Sequence, residues 1–419
     1  MKMCQQDDGI ALQGTRAVTS DDPNGVSTLE NQLFPVPWCT VEIWYNGCPM
    51  REWVSSAFGR RVQLAQAVLA AVFLALSFPA AATASQPESP AALPGNIFDA
   101  ASREASRLPR LHSLLVSQGG KLVFERYYNG ERPTHAANIK SASKSVISAL
   151  VGIAIQRGFL QHSKQPISSF FPQLTGLPGD DASPRKAQIT IDDLLSMRSG
   201  LETTSNRNYG RWVRSRNWVG HILSRPLVTL PGTEMVYSTG NTHLLSAILS
   251  KATGKSTWEF AQEALAEPLG FQMPRWPQDP QGIYFGGNDM LLTPKQMLAF
   301  GELYLRRGQH NGRQVIPADW VQASLVPRVR SRREADRYYG YGWWIRTMAG
   351  YQAPYAWGFG GQFIFLVPEL DLVVVSTSAV TLEDERRTHR FTVMDLIERY
   401  IVAPVGALEH NANSPRIHP

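Results

Sequence analysis

The 419 residues include 41 Lys and Arg against 35 Asp and Glu, a formal charge of +6, with 43% hydrophobic and 18% charged residues. This is globular composition with ample length to bury a core, and it excludes disorder along the whole chain. The mild basicity points to no nucleic-acid partner, because the densest basic run, RVRSRREADR at 328–337, has no interleaved stacking aromatics and reads as a solvated face.

From Met50 the chain has the layout of a secretory signal peptide. Arg60 and Arg61 close a basic segment, an apolar run follows from Ala67 to Phe78, and Ala82-Thr83-Ala84 is a small-residue cleavage site. The apolar run is too short to span a bilayer, so the expectation is export to the periplasm or the medium, with cleavage after Ala84 and no stable membrane anchor. A signal peptide begins at the translation start, so Met50 is the expected start and residues 1–49 an over-extension of it. Cys4, Cys39 and Cys48 all precede Met50. The mature chain therefore has no disulfide framework, no thiolate nucleophile and no sulfur ligand for zinc.

Residues 85–96 are rich in Pro, Ser and Ala and read as a linker; a folded domain is expected over 97–405 and a disordered tail over 406–419. LHSLLVSQGGKLVFERYY alternates around Gly-Gly as a hairpin does. A helix should begin at Ser141, where Val146, Leu150 and Ile153, with Ile147 and Val151 beside them, recur at helical spacing. Residues 160–325 read as mostly helical: ITIDDLLSMRSGL and GNTHLLSAILSKATG end on glycine, and TPKQMLAFGELYLRRG starts with Thr293 as cap and Pro294 at the first helical position. Strands return in YGYGWWIRT, GGQFIFLVP and LDLVVVSTS, and a last helix should bury Phe391, Met394, Ile397 and Ile401. This order predicts an α+β fold: one antiparallel sheet built from both chain ends and flanked by helices, an all-helical lobe, and a site in the cleft between the two.

In NIKSASKSVISALVG, Ser141 stands three residues ahead of Lys144. The helix start favours negative charge, the spacing puts both side chains on one face, and a desolvated lysine has its pKa lowered towards taking the serine proton. A capping serine with a solvated lysine fits the same spacing, and SPRK at 183–186 repeats it. Two further segments favour catalysis. Tyr237, at a turn before a helix, can relay a proton, and a backbone N–H in WGFGG can join that of Ser141 in holding an oxyanion.

S-x-x-K, then YST at 237–239, then a Gly-rich strand, together with ITIDDLLSMRSGL, GGNDMLLTPKQMLAFGELYL and YGYGWW, resemble the serine β-lactamase and penicillin-binding-protein superfamily. The likeness is to its class C-like esterase, amidase and 6-aminohexanoate-dimer hydrolase branch. It implies a β-lactamase/transpeptidase-like fold, Ser141 as acylated nucleophile, Lys144 as proton acceptor or relay, and Tyr237 as the phenol serving the leaving group and the water. It further implies oxyanion donors at Ser141 and at Phe359 or, second, Gly361, with Thr239, Trp357, Gly358 and Gly360 around the substrate.

The chain departs from the class C pattern at two places. Thr239 stands where an asparagine would hold a β-lactam side-chain amide, and the third motif, AWG or GFG, lacks the cation that anchors a substrate carboxylate. Both departures favour esters or linear amides over β-lactams and D-alanyl-D-alanine. The alternatives are a penicillin-recognising carboxypeptidase or β-lactamase, and a silent peptidoglycan-binding sensor. Among Trp212, Trp218, Trp343, Trp344 and Trp357, only Trp357, which adjoins the third motif, is expected to wall the pocket; most of the rest read as packing. No G-x-S-x-G, H-E-x-x-H or complete P-loop is present, no cofactor or metal is implied, and nothing in the sequence sets an oligomeric state.

Overall fold

The computed structural model describes Pro94 and residues 96–175, 183–332, 334–381 and 386–413. All of these belong to the unit Ser85–Pro419. The expected over-extension 1–49, the signal segment 50–84 and nearly all of the linker lie outside the described residues.

A first helix, α1 (Asp99–Ser106), leads into the predicted hairpin, β1 (Leu111–Gln118) and β2 (Lys121–Tyr127). Gly119 and Gly120 turn it with φ of 60° and 74°, two consecutive positive values that match the strand twist and that glycine reaches without Cβ strain. The middle of the chain supplies α2 (Ser143–Gln156), α3 (Thr239–Thr253) and α4 (Pro294–Leu305). Gly254 ends α3 in the left-handed region, and Thr293 and Gln296 form a capping box on α4 with Pro294 at its first position.

The remaining strands are β3 (Val329–Arg330), β4 (Tyr338–Tyr339), β5 (Trp344–Met348), β6 (Tyr351–Gly358), β7 (Gln362–Val367) and β8 (Leu372–Ser378), followed by α5 (Arg386–Ile397). Together with the hairpin they form one antiparallel sheet in the order β2-β1-β8-β7-β6-β5-β4-β3. The two chain ends meet where β1 pairs with β8, Val116 opposite Val374.

Alternation along the central strands divides the core. Ile364, Leu366, Val373 and Val375 pack with α2, α3 and α4, while Phe363, Phe365 and Val374 pack with α1, α5 and residues 398–405. Burial on both faces explains why β7 and β8 read as unbroken apolar runs. Around α3 the helical lobe is made of short pieces, among them Ile191–Leu195, Trp218–Leu223 and Thr257–Ala261.

Three expectations are corrected. YGYGWWIRT is not one strand: Gly342, with φ 80°, breaks it because the backbone there runs so close to α2 that a Cβ would stand 2.7 Å from the Lys144 carbonyl oxygen. Phe391 is 48% exposed, whereas Met394, Ile397 and Ile401 are buried, because Phe391 carries the Arg390 guanidinium 4.1 Å from its ring centroid instead of entering the core. The chain beyond 405 continues as a helix, Ala403–Asn413, anchored by buried Val405 and by a Gln118–Glu409 side-chain hydrogen bond of 3.2 Å.

Candidate active site

Ser141 lies in a 3-10 turn, Lys140–Ala142, that feeds directly into α2. Lys140 is held at φ 51°, a conformation uncommon outside glycine, by Asn138 Oδ1, which accepts its N–H at 3.1 Å, and by Asp289, which takes its ammonium at 2.7 Å. The turn presents Ser141 at the mouth of a cavity of about 360 Å³ that Tyr237, Trp344, Trp357 and Phe359 also line.

Lys144 sits beneath it, 1% exposed, on the first turn of α2. Its ammonium donates to the Gly287 carbonyl at 2.6 Å and lies 3.1 Å from Ser141 Oγ and 3.5 Å from Thr239 Oγ1. With neutral oxygens around it, burial dominates and brings its pKa down to about 7. The ring of Tyr237 stands 5.2 Å from the same ammonium. Burial pushes the Tyr237 phenol up to about 12, opposed by the Ser141 hydroxyl and the Arg337 charge. At neutral pH, then, the lysine can accept a proton and the phenol keeps its own.

The tyrosine segment is tied to a neighbouring loop by hydroxyl hydrogen bonds from both sides. Thr203 Oγ1 donates to the Tyr237 carbonyl at 2.7 Å, Ser238 Oγ accepts the Thr204 N–H at 3.1 Å, and Ser205 Oγ accepts the Thr239 N–H at 2.8 Å. This Thr-Thr-Ser run looks in the sequence like any polar loop. Nothing but its pairing reveals it, and the same holds for the Gly287 carbonyl.

The third motif is the turn between β6 and β7, with Gly358 paired to Gln362 across it. A Cβ on Gly358 would stand 2.0 Å from the Ile139 carbonyl oxygen, so glycine lets β6 run against the turn that carries Ser141. Gly360 and Gly361 adopt φ of 90° and 107°. The Gly361 N–H donates to the Gly358 carbonyl at 3.3 Å, and its own carbonyl accepts from Ser376 Oγ at 3.0 Å. Phe359 projects at the cavity wall, 38% exposed. Of the four residues expected around the substrate, Trp357 lines the cavity, and Thr239, Gly358 and Gly360 do not.

Trp212, Trp218 and Trp343 are core residues, but Trp344 lines the cavity and stacks on Tyr237 at 5.6 Å and 21°. The basic run also departs from a solvated face. Arg337 is only 5% exposed and places its guanidinium carbon 4.3 Å from the Trp344 ring centroid, where the indole takes up the cation. Lys186 of the second S-x-x-K donates to the Leu223 carbonyl at 3.3 Å.

A serine hydroxyl in contact with a fully buried lysine, beside a protonated phenol in an open cavity, defines a serine hydrolase. The chain belongs to the beta-lactamase family, whose family model matches residues 112–398, more than half of its length. It is 26% identical to the 6-aminohexanoate-dimer hydrolase of Paenarthrobacter ureafaciens over 315 residues, 68% of this chain and 79% of that one. It is 24% identical over 321 residues to the D-alanyl-D-alanine-carboxypeptidase/endopeptidase AmpH of Escherichia coli K12, covering 64% and 80%. The fold matches that of EstCE1, a hydrolase with promiscuous acyltransferase activity, with a TM-score of 0.59 at 17% identity over 72% of this chain and 98% of the other. The fold is thus β-lactamase/transpeptidase-like.

Proposed function

We propose that the protein is an exported serine hydrolase that cleaves an ester or a linear amide through an acyl-enzyme on Ser141. The observation that carries this reading is the 3.1 Å contact between Ser141 Oγ and the Nζ of a lysine with a pKa near 7. Ser141 Oγ bonds to the substrate carbonyl carbon as its proton passes to Lys144, and Tyr237 returns that proton to the departing oxygen or nitrogen as the scissile bond breaks. Water then adds to the acyl carbon by the reverse relay, and the acid leaves with Ser141 restored. The N–H groups of Ser141 and Phe359 serve the oxyanion in this scheme. Gly361 is the weaker second donor because its N–H is engaged within the turn.

Thr239 and the uncharged third motif favour esters and linear amides over β-lactams. The test incubates the mature protein and its Ser141→Ala variant with p-nitrophenyl acetate and butyrate, nitrocefin and a linear aminohexanoate amide. Ester or amide turnover lost in the variant, with nitrocefin slow, is expected. Rapid nitrocefin hydrolysis would move the protein to the penicillin-recognising enzymes, and no Ser141-dependent turnover at all would leave a binding role. Export rests on the segment from Met50 to Ala84 and is tested by N-terminal sequencing of the secreted protein.

A further inference from the structure

The cavity that Ser141 lines also holds a carboxylate between two arginines. Glu334, on the connection between β3 and β4, places Oε1 3.1 Å from Arg337 Nη1 and 3.8 Å from Arg390 Nη2 of α5. All three residues line the same cavity as Ser141. The guanidiniums are oriented by aromatic rings: Arg337 lies 4.3 Å from the Trp344 centroid and 5.5 Å from that of Trp357, and Arg390 lies 4.7 Å from Trp357. Those indoles adjoin the site, since Trp344 stacks on Tyr237 and Trp357, on β6, lies two residues before Phe359. Arginine forks held against rings are suited to planar oxyanions, which they bind by paired charge-assisted hydrogen bonds. Glu334, its side chain 28% exposed, occupies that position as an internal counter-ion.

We propose that Arg337 and Arg390 form a carboxylate-recognition clamp, that the preferred substrate is an anionic ester or amide with a carboxylate remote from the scissile bond, and that this carboxylate displaces Glu334. The two arginines come from the β3–β4 connection and α5, not from the third motif. This inference rests on the acyl-enzyme reading above. Its specificity is conferred by residues far from Ser141 in sequence.

The test compares kcat/KM for two pairs of esters: mono-p-nitrophenyl adipate with p-nitrophenyl hexanoate, for a carboxylate on the acyl side, and 4-acetoxybenzoate with its methyl ester, for one on the leaving group. Rates are corrected with Ser141→Ala. The wild type is expected to prefer the anionic member of at least one pair, Arg390→Gln to reduce that anionic-to-neutral ratio about tenfold, chiefly through KM, and Glu334→Gln to raise it. Arg390 is the better target for substitution because it is less buried than Arg337, and far-UV circular dichroism with thermal melts establishes that each variant is folded. Absence of any preference, a preference that survives Arg390→Gln, or one that falls in Glu334→Gln overturns the clamp. Absence of Ser141-dependent turnover of all four esters would instead overturn the acyl-enzyme reading.

Discussion

Lys144 shows how burial creates reactivity at a single residue. Among the described residues its hydrogen-bond partners are neutral oxygens, its lowered pKa comes from desolvation, and the amine becomes a base at neutral pH. The log of kcat/KM is therefore expected to rise through an apparent pKa near 7 and to level off above it, and a flat profile from pH 5.5 to 8.5 would assign the proton to another group. Ser141→Ala should reduce kcat by about 1,000-fold or more. The same shift bears on stability. Between about 7 and the unfolded value of 10.5 the unfolded chain binds the extra proton, so Lys144 makes stability rise with pH across that window. Lys144→Met removes this contribution, and its melting temperature relative to wild type should be highest near pH 6 and decline towards pH 10.

At the level of elements, the site depends on two close approaches. β6 meets the nucleophile turn at Gly358, and the loop before β5 meets α2 at Gly342, where Ser145 Oγ donates to the Gly342 carbonyl at 2.7 Å. Gly358→Ala would drive a methyl into the Ile139 carbonyl. It should cost about 1–3 kcal/mol in chemical denaturation and lower kcat more than KM, since it displaces Ser141 from Phe359. The hydroxyl clasp on the tyrosine segment is gentler: Thr203→Val, which removes the hydrogen bond to the Tyr237 carbonyl and the one accepted from the Ser205 N–H, should cost about 1–2 kcal/mol in chemical denaturation.

For the molecule as a whole, closure depends on the two chain ends meeting in one sheet and on the C-terminal helices covering it. His389 of α5 is 6% exposed, with Nε2 3.0 Å from Ser378 Oγ at the end of β8. Burial, then the charges of Arg110 and His112, bring its pKa down to about 4. Its folded pKa lies below the unfolded 6.5, so its contribution to stability is complete above 6.5 and is lost as pH falls towards 4. His389→Gln should lose less stability than wild type between pH 6.5 and 4.5 in urea titrations; parallel losses would place the acid sensitivity elsewhere. A chain beginning at Ser85 is expected to fold with the activity of the full chain. Much of this architecture was legible in the residues themselves. The hairpin, α2, α4 and the apolar strands declare themselves by period and turn chemistry, which are local properties, and Ser141, Lys144 and Tyr237 stand out through their order in a resemblance. Phe391 misled because helical periodicity does not reveal that a neighbouring arginine will occupy the outer face. The basic run misled because charge density does not reveal that Trp344 will cover Arg337. Which hydroxyls clasp Tyr237, which carbonyl holds Lys144 and which arginines reach the cavity were decided only in the tertiary structure, because each pairing joins residues whose side chains meet when the sheet, assembled from both chain ends, packs against the helical lobe.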